Sequence, residues 1–272
     1  MGGGTIERII DAGWARVRET AGYLSEREAR FIMLAAALAP GSGDVVEIGS
    51  FKGRSTVGLA YVSRECGLGR VVALDPHTAP ASTDPDLEGE SASYDAFIAN
   101  LDRAGVRDVV EIHRAFSHDV ARTWSRPIRL LWIDGDHTYE GALADVRLFR
   151  PHLIPGAIVA MHDVLGTFEG SLRVFADEIL RSNDFGPVGL CGSIGWGQYR
   201  PGGARSLFYR WARARLSVPI RRLIPIARRG RRIQGVADKY AYKLWRALAP
   251  HGAVPARRFV RMTRLAPPNK QL

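Results

Sequence analysis

Residues 130–137 read Leu-Leu-Trp-Ile-Asp-Gly-Asp-His, an apolar strand run that delivers Asp134, Asp136 and His137 together at its C-terminal end. In an open α/β sheet, that edge is where ligands bind. Residues 157–163, Ala-Ile-Val-Ala-Met-His-Asp, repeat the device one strand–helix–strand unit later with His162 and Asp163. Two adjacent strand ends thus present three carboxylates and two imidazoles to one crevice. That set can hold a hard divalent cation and take a proton from a hydroxyl.

The rest of the chain alternates in the same way. Residues 5–22 place Ile6, Ile9, Ile10, Trp14 and Val17 on one helical stripe. Ser25 with Glu28 forms a capping box ahead of a second helix ending at Leu38. Strands are expected at 44–48, 71–74, 109–113, 128–133 and 157–162. Helices are expected at 53–66, 92–104, 117–124, 139–149 and 169–181. Segments 188–191 and 194–199 close the sheet as an antiparallel edge. This spacing predicts an α/β fold, Rossmann-like, with a seven-stranded, mostly parallel sheet, helices on both faces and a basic C-terminal extension. The expected division is N-terminal helices at 1–39, a cofactor-binding domain at 40–200 and a partly helical basic arm at 201–272.

The net charge of +10 is two opposite charges. Residues 1–199 hold 19 Lys and Arg against 27 Asp and Glu, whereas residues 200–272 hold 19 against one acid, Asp238. An acidic body carries a basic arm. No apolar run reaches the roughly 18 residues of a membrane span, and with no basic segment followed by an apolar one near residue 1, no secretory signal is expected. Cys66 and Cys191 lack any paired spacing and are expected to be reduced thiols in a cytoplasmic protein.

The first strand leads into Glu47-Ile48-Gly49-Ser50-Phe51-Lys52-Gly53-Arg54-Ser55. Gly49 permits a sharp turn and close approach to a ligand, and Gly53 opens a helix with free N–H groups. The dinucleotide fingerprint G-x-G-x-x-G is absent, and Glu47 would repel a pyrophosphate. It suits a cationic ligand or an amino group. Asp75 ends the second strand, where an acid can grip ribose hydroxyls.

E-x-G-x-x-x-G, followed by Asp75 and Asp134 at later strand ends, resembles the class I S-adenosylmethionine-dependent methyltransferases. The further run Asp134-Gly-Asp-His-x-Tyr139-Glu140, with Asp145, Pro151, Pro155-Gly156 and His162-Asp163-Val164, resembles the metal-dependent small-molecule O-methyltransferases. The bacterial branch acting on sugar hydroxyls of polysaccharides, glycolipids and macrolides is the nearest likeness. The resemblance implies that Glu47, Gly49 and Ser50, with Gly53 and Ser55 in the same turn, line the methionine end of the cofactor. It implies that Asp75 holds the ribose, that Ser117 bonds the adenine and that Asp134 borders the cofactor. It places Mg²⁺ or Mn²⁺ on Asp134, His162 and Asp163. Relatives have carboxylate and amide ligands at the last pair, so His162 departs from their pattern and is either a ligand or a base. The general base falls on His137.

The chemistry is coherent without the resemblance. A sugar hydroxyl is a poor nucleophile, and a bound cation stabilises its alkoxide and orients it. His137 or His162 then accepts the proton. His113 and His118 are expected to be structural, and His77 is a weaker candidate for approaching substrate. The loop 84–90 is a solvated acidic loop or a lid. In the arm, Trp211, Leu216, Ile220, Leu223 and Ile224 alternate with arginines, and Tyr240, Tyr242, Leu244 and Trp245 follow. Pro219, Pro225 and Pro250 are expected to forbid one long helix. The arm suits an anionic membrane surface at the inner face, or packing on a second subunit in a homodimer. A nucleic-acid methyltransferase anchored by the arm is the competing function, though the acidic crevice makes nucleic acid the least favoured partner. The expected partner is a small-molecule or glycan acceptor.

Overall fold

The computed structural model describes residues 3–78, 93–202, 205–229, 233 and 235–264. Among the described residues seven strands, β1 (Asp44–Ile48), β2 (Val71–Leu74), β3 (Val110–His113), β4 (Ile128–Ile133), β5 (Leu153–Met161), β6 (Phe185–Cys191) and β7 (Ile194–Tyr199), form one sheet in the order β3-β2-β1-β4-β5-β7-β6. The pairs from β3 to β5 are parallel, and β7 runs antiparallel to both β5 and β6. The edge strands are therefore β3 and β6, with β7 inserted between β5 and β6. Every residue of β2 and β4 is buried, as a strand covered on both faces requires.

Alternation along the strands divides the core. Trp132, Ile158, Ala160 and Trp196 face α1 (Gly3–Val17), α2 (Glu26–Leu38) and α3 (Arg54–Cys66). Leu131, Ile133, Val159 and Met161 face the opposite layer, built from α6 (Tyr139–Phe149), α7 (Glu169–Val174) and α8 (Arg205–Ala227). Shorter α4 (Tyr94–Ala104) and α5 (Ser117–Ala121) complete the crossovers, and α9 (Val236–Leu248) and α10 (Ala256–Thr263) end the described chain. The Ser25/Glu28 capping box is present.

Three local readings change. β5 begins at Leu153 and carries an irregularity against β4, where Ile128 pairs with Leu153 but Leu130 pairs with Ile158. Pro155 and Gly156 fall in that bulge, which accommodates a missing donor and a positive φ. The helix expected over 169–181 is α7 followed by a π-helical turn, Phe175–Leu180.

The third change is larger. α8 runs unbroken through Pro219 and Pro225, contrary to the sequence expectation. Two interior prolines cost about 6 kcal/mol together. Burying Leu216, Ile220, Leu223 and Ile226 contributes roughly 6–12 kcal/mol, so packing outweighs the breakers. The buried Arg213 guanidinium also donates to the Phe185 carbonyl of β6. Phe259 of α10 is fully buried against Phe31 and Trp196, with ring centroids 5.9 and 5.2 Å away. Among the described residues no helix is long and apolar enough to cross a membrane. Cys66 and Cys191 are free thiols.

Candidate active site

Three backbone bonds set four strand ends in a row. Gly49 N–H donates to the Leu74 carbonyl at 2.9 Å, Asp134 N–H to Ile48 at 2.8 Å and His162 N–H to Ile133 at 2.9 Å. Residues at the ends of β2, β1, β4 and β5 therefore share one edge. Gly49 has φ of 85°, and a Cβ there would lie 2.3 Å from the Asp134 carbonyl oxygen. Only glycine lets the turn after β1 pass this close to β4.

That turn is held from below by Asp75. One carboxylate oxygen accepts from the amides of Ser50 and Phe51, each at 2.8 Å, and the other from His77 N–H at 2.7 Å. Three of roughly four lone-pair sites are thus committed to the loop, leaving about one for a ribose hydroxyl. Gly53, at φ of 86°, precedes α3, whose N-terminus has no side-chain cap, and Ser55 is buried in its first turn. Glu47 is fully buried. Its Oε2 accepts from Ser50 Oγ at 3.1 Å and Thr56 Oγ1 at 2.5 Å, while its Oε1 has no hydrogen-bond partner among the described residues. Burial pushes this carboxyl up to about 7, against the pull of the surrounding hydroxyls and helped by Asp134. A buried carboxylate with one unpartnered oxygen fits a cationic ligand group such as a sulfonium or an ammonium.

The second cluster brings Asp134, His137, His162 and Asp163 together. Asp134, His162 and Asp163 each offer one donor atom within 4.8 Å of the others. His162 Nδ1 is 3.1 Å from Asp134 Oδ1 and 3.4 Å from Asp163 Oδ2. His137 Nε2 lies 3.3 Å from Asp163 Oδ2 and 3.9 Å from Asp134 Oδ1, with its ring stacked on Phe168 at 4.1 Å. Asp163 sits at φ of 56°, a left-handed conformation that aspartate tolerates better than most residues. Burial opposes a charge on His162, but Asp134 and Asp163 overcome it and hold its pKa well above the ordinary range. An acid–histidine–acid donor set in this arrangement fits a divalent cation.

Glu28, read in the sequence only as a helix cap, is the residue that sequence reasoning missed. Its Oε1 accepts from Ser193 N–H at 2.6 Å and Ser193 Oγ at 2.7 Å in the β6–β7 turn. Its Oε2 accepts from Ser25 and stands 3.8 Å from His162 Nε2. No local pattern ties residue 28 to residue 162; only the fold brings α2 to this edge. Phe168 is a further member without a sequence signal, and Asp145, part of the quoted motif, is given no role by the sequence. Asp145 accepts from Ser117 Oγ at 2.5 Å, and burial pushes its carboxyl up to about 6. The hydroxyl expected at an adenine is therefore engaged with Asp145.

Other candidates fall away from the cluster. Asp136 accepts from Thr138 N–H at 2.8 Å at the start of α6. His77 is buried beneath the loop, with Nδ1 2.9 Å from Ser93 Oγ. His113 pairs with Glu111 at 2.7 Å and His118 stacks on Phe116. The acidic loop 84–90 lies outside the described residues.

The sequence matches the methyltransferase domain family over residues 46–164. Solved structures share the fold. The O-methyltransferase NovP is 14% identical, with 72% of this chain and 98% of that one covered at a TM-score of 0.57. Cofactor-bound Rv0187 from MTB is 21% identical, with 72% and 91% covered at a TM-score of 0.51. TomG from Streptomyces achromogenes, in complex with S-adenosylmethionine, is 18% identical, with 71% and 90% covered at a TM-score of 0.50. Strand order, the turn after β1 and the matched segment agree: residues 46–164 carry a methyltransferase domain on the fold that these solved structures share.

Proposed function

We propose that this methyltransferase moves the methyl group to a hydroxyl of a sugar-containing or polyketide-type metabolite, with a divalent metal at Asp134, His162 and Asp163. The carrying observation is the convergence of those three donors beside His137. Two of the structural neighbours, NovP and TomG, are O-methyltransferases, and TomG takes part in tomaymycin synthesis.

Glu47 and the amides of the Gly49–Gly53 turn bind the methionine end of the cofactor, and Asp75 keeps that turn in shape. When bound, S-adenosylmethionine supplies an electrophilic methyl, and Mg²⁺ or Mn²⁺ supplies Lewis acidity to the acceptor oxygen. His162 serves as a ligand through Nδ1, because its other nitrogen faces Glu28, as second-sphere carboxylates do for metal-bound histidines. His137 is the base: its Nε2 borders both carboxylates, and Phe168 fixes its ring. Positioning the hydroxyl in line contributes roughly 7–11 kcal/mol beyond proton transfer.

The basic arm brings the enzyme to an anionic membrane surface on the cytoplasmic side, within reach of lipid-borne acceptors. Incubating the protein with labelled S-adenosylmethionine and separate glycolipid, polysaccharide and RNA fractions tests the acceptor class. Label in the glycan fractions supports the reading; label confined to RNA replaces it with the nucleic-acid alternative.

A further inference from the structure

The basic arm carries an apolar face that no described part of the chain covers. On α9, Val236, Tyr240, Leu244 and Leu248 recur every four residues, and their exposures are 70, 71, 55 and 57%. At 3.6 residues per turn these four lie along one side of the helix. Lys239, Lys243 and Ala247 are exposed beside them. The other side of α9 is spoken for: Tyr242 and Trp245 pack on the core, and Arg222 lies over the Trp245 ring at 5.5 Å.

The surroundings of this face are cationic. Residues 200–272 contain one acid, Asp238, and Arg229 binds it at 2.5 and 2.6 Å. An apolar stripe edged by lysines, on a helix too short and too polar to span a bilayer, is the build of an interfacial helix. α9 is also tied to the active edge. Tyr242 Oη donates at 2.6 Å to the carbonyl of Leu165, two residues past Asp163.

We infer that the Val236/Tyr240/Leu244/Leu248 face of α9 docks the protein on an anionic lipid bilayer, beside the methyl-transfer site. This names the membrane contact within the function proposed above and rests on that reading for its purpose. The stripe enters the headgroup boundary, and Lys239 and Lys243 meet acidic headgroups. Such an anchor is reversible and weakens with salt, because exposed charges are screened.

Sedimentation of the full-length protein with phosphatidylglycerol or phosphatidylcholine vesicles tests it. Partitioning is expected to be at least tenfold stronger on phosphatidylglycerol and to fall as salt rises. Tyr240→Ser with Leu244→Ser should weaken it about tenfold, and Lys239→Gln with Lys243→Gln about 25-fold, at about fivefold per cation. All four substitutions are at exposed positions, so the melting temperature and methyl transfer to a soluble acceptor should not change. Equal partitioning of the variants, or a protein that ignores vesicles but retains RNA, overturns the inference. So does a stripe that sets dimerisation, read by sedimentation velocity, while vesicle binding is untouched. Vesicle binding through α9 without methyl transfer to any hydroxyl would leave this inference standing and sink the proposed activity instead.

Discussion

Glu28 Oε2 stands 3.8 Å from His162 Nε2, and the same carboxylate caps α2 and holds the β6–β7 turn. Burial alone would raise this carboxyl, but His162, Ser25 and Ser193 hold it well below the ordinary carboxylate range. Its contribution to stability is therefore complete above about pH 4.5 and is lost as the pH falls. Glu28→Gln should weaken Mn²⁺ binding by about 10–100-fold, the usual cost of losing an orienting carboxylate. Calorimetric titration of Mn²⁺ decides the matter. Unchanged affinity with a lower melting temperature would make Glu28 a cap and nothing more.

The metal donors can be tested without disturbing the backbone. Asn tolerates the left-handed conformation of Asp163, so Asp163→Asn keeps the turn. That variant and Asp134→Asn should lose metal binding and turnover while keeping cofactor affinity within a few-fold. Equilibrium dialysis with the cofactor and with Mn²⁺ separates the two effects. Loss of cofactor binding in both variants would mean that the cluster supports the Gly49 turn instead.

His137→Ala should lower turnover by roughly 10²–10⁴-fold, the usual worth of a positioned general base. The cofactor should still bind, and the acid limb of the pH–rate profile should flatten. If His162→Ala gives that profile and His137→Ala does not, the two roles are exchanged.

Glu47 links cofactor binding to protons. Its carboxyl is pushed from 4.5 to about 7 in the folded protein, so between those values the unfolded chain binds fewer protons. Stability of the free protein therefore declines as pH rises from 4.5 to 7, by about 3 kcal/mol in all. A cationic ligand favours the ionised form, so binding near pH 6 should release most of one proton. Calorimetry in buffers of different ionisation enthalpy measures this. Glu47→Gln should abolish the release, weaken the cofactor and stabilise the free protein at pH 8. A proton count that is the same in both proteins would remove Glu47 from the cofactor site.

Much of the fold was legible because buried parallel strands and amphipathic helices each leave a local period. The strand ends at Asp75, Asp134 and His162 followed directly from those runs. Pairings across the fold were not legible. Glu28 meets His162, and Ser117 meets Asp145, only after helices have packed on the sheet. The prolines of α8 misled because local breaking loses to the burial of Leu216, Ile220 and Leu223. For the same reason, truncation after residue 204 should lower the melting temperature substantially, since it uncovers the sheet around Phe185 and removes Phe259 from the core. A truncated protein with wild-type stability would show that α8 and α10 only rest on the body.

The central claim is metal-assisted transfer to a hydroxyl, and the most direct measurement is labelled methyl transfer to a glycan acceptor before and after chelation. EDTA should abolish transfer, Mg²⁺ or Mn²⁺ should restore it, and Asp134→Asn and Asp163→Asn should stay inactive with either ion. Full turnover in EDTA, with both variants active, would contradict that claim.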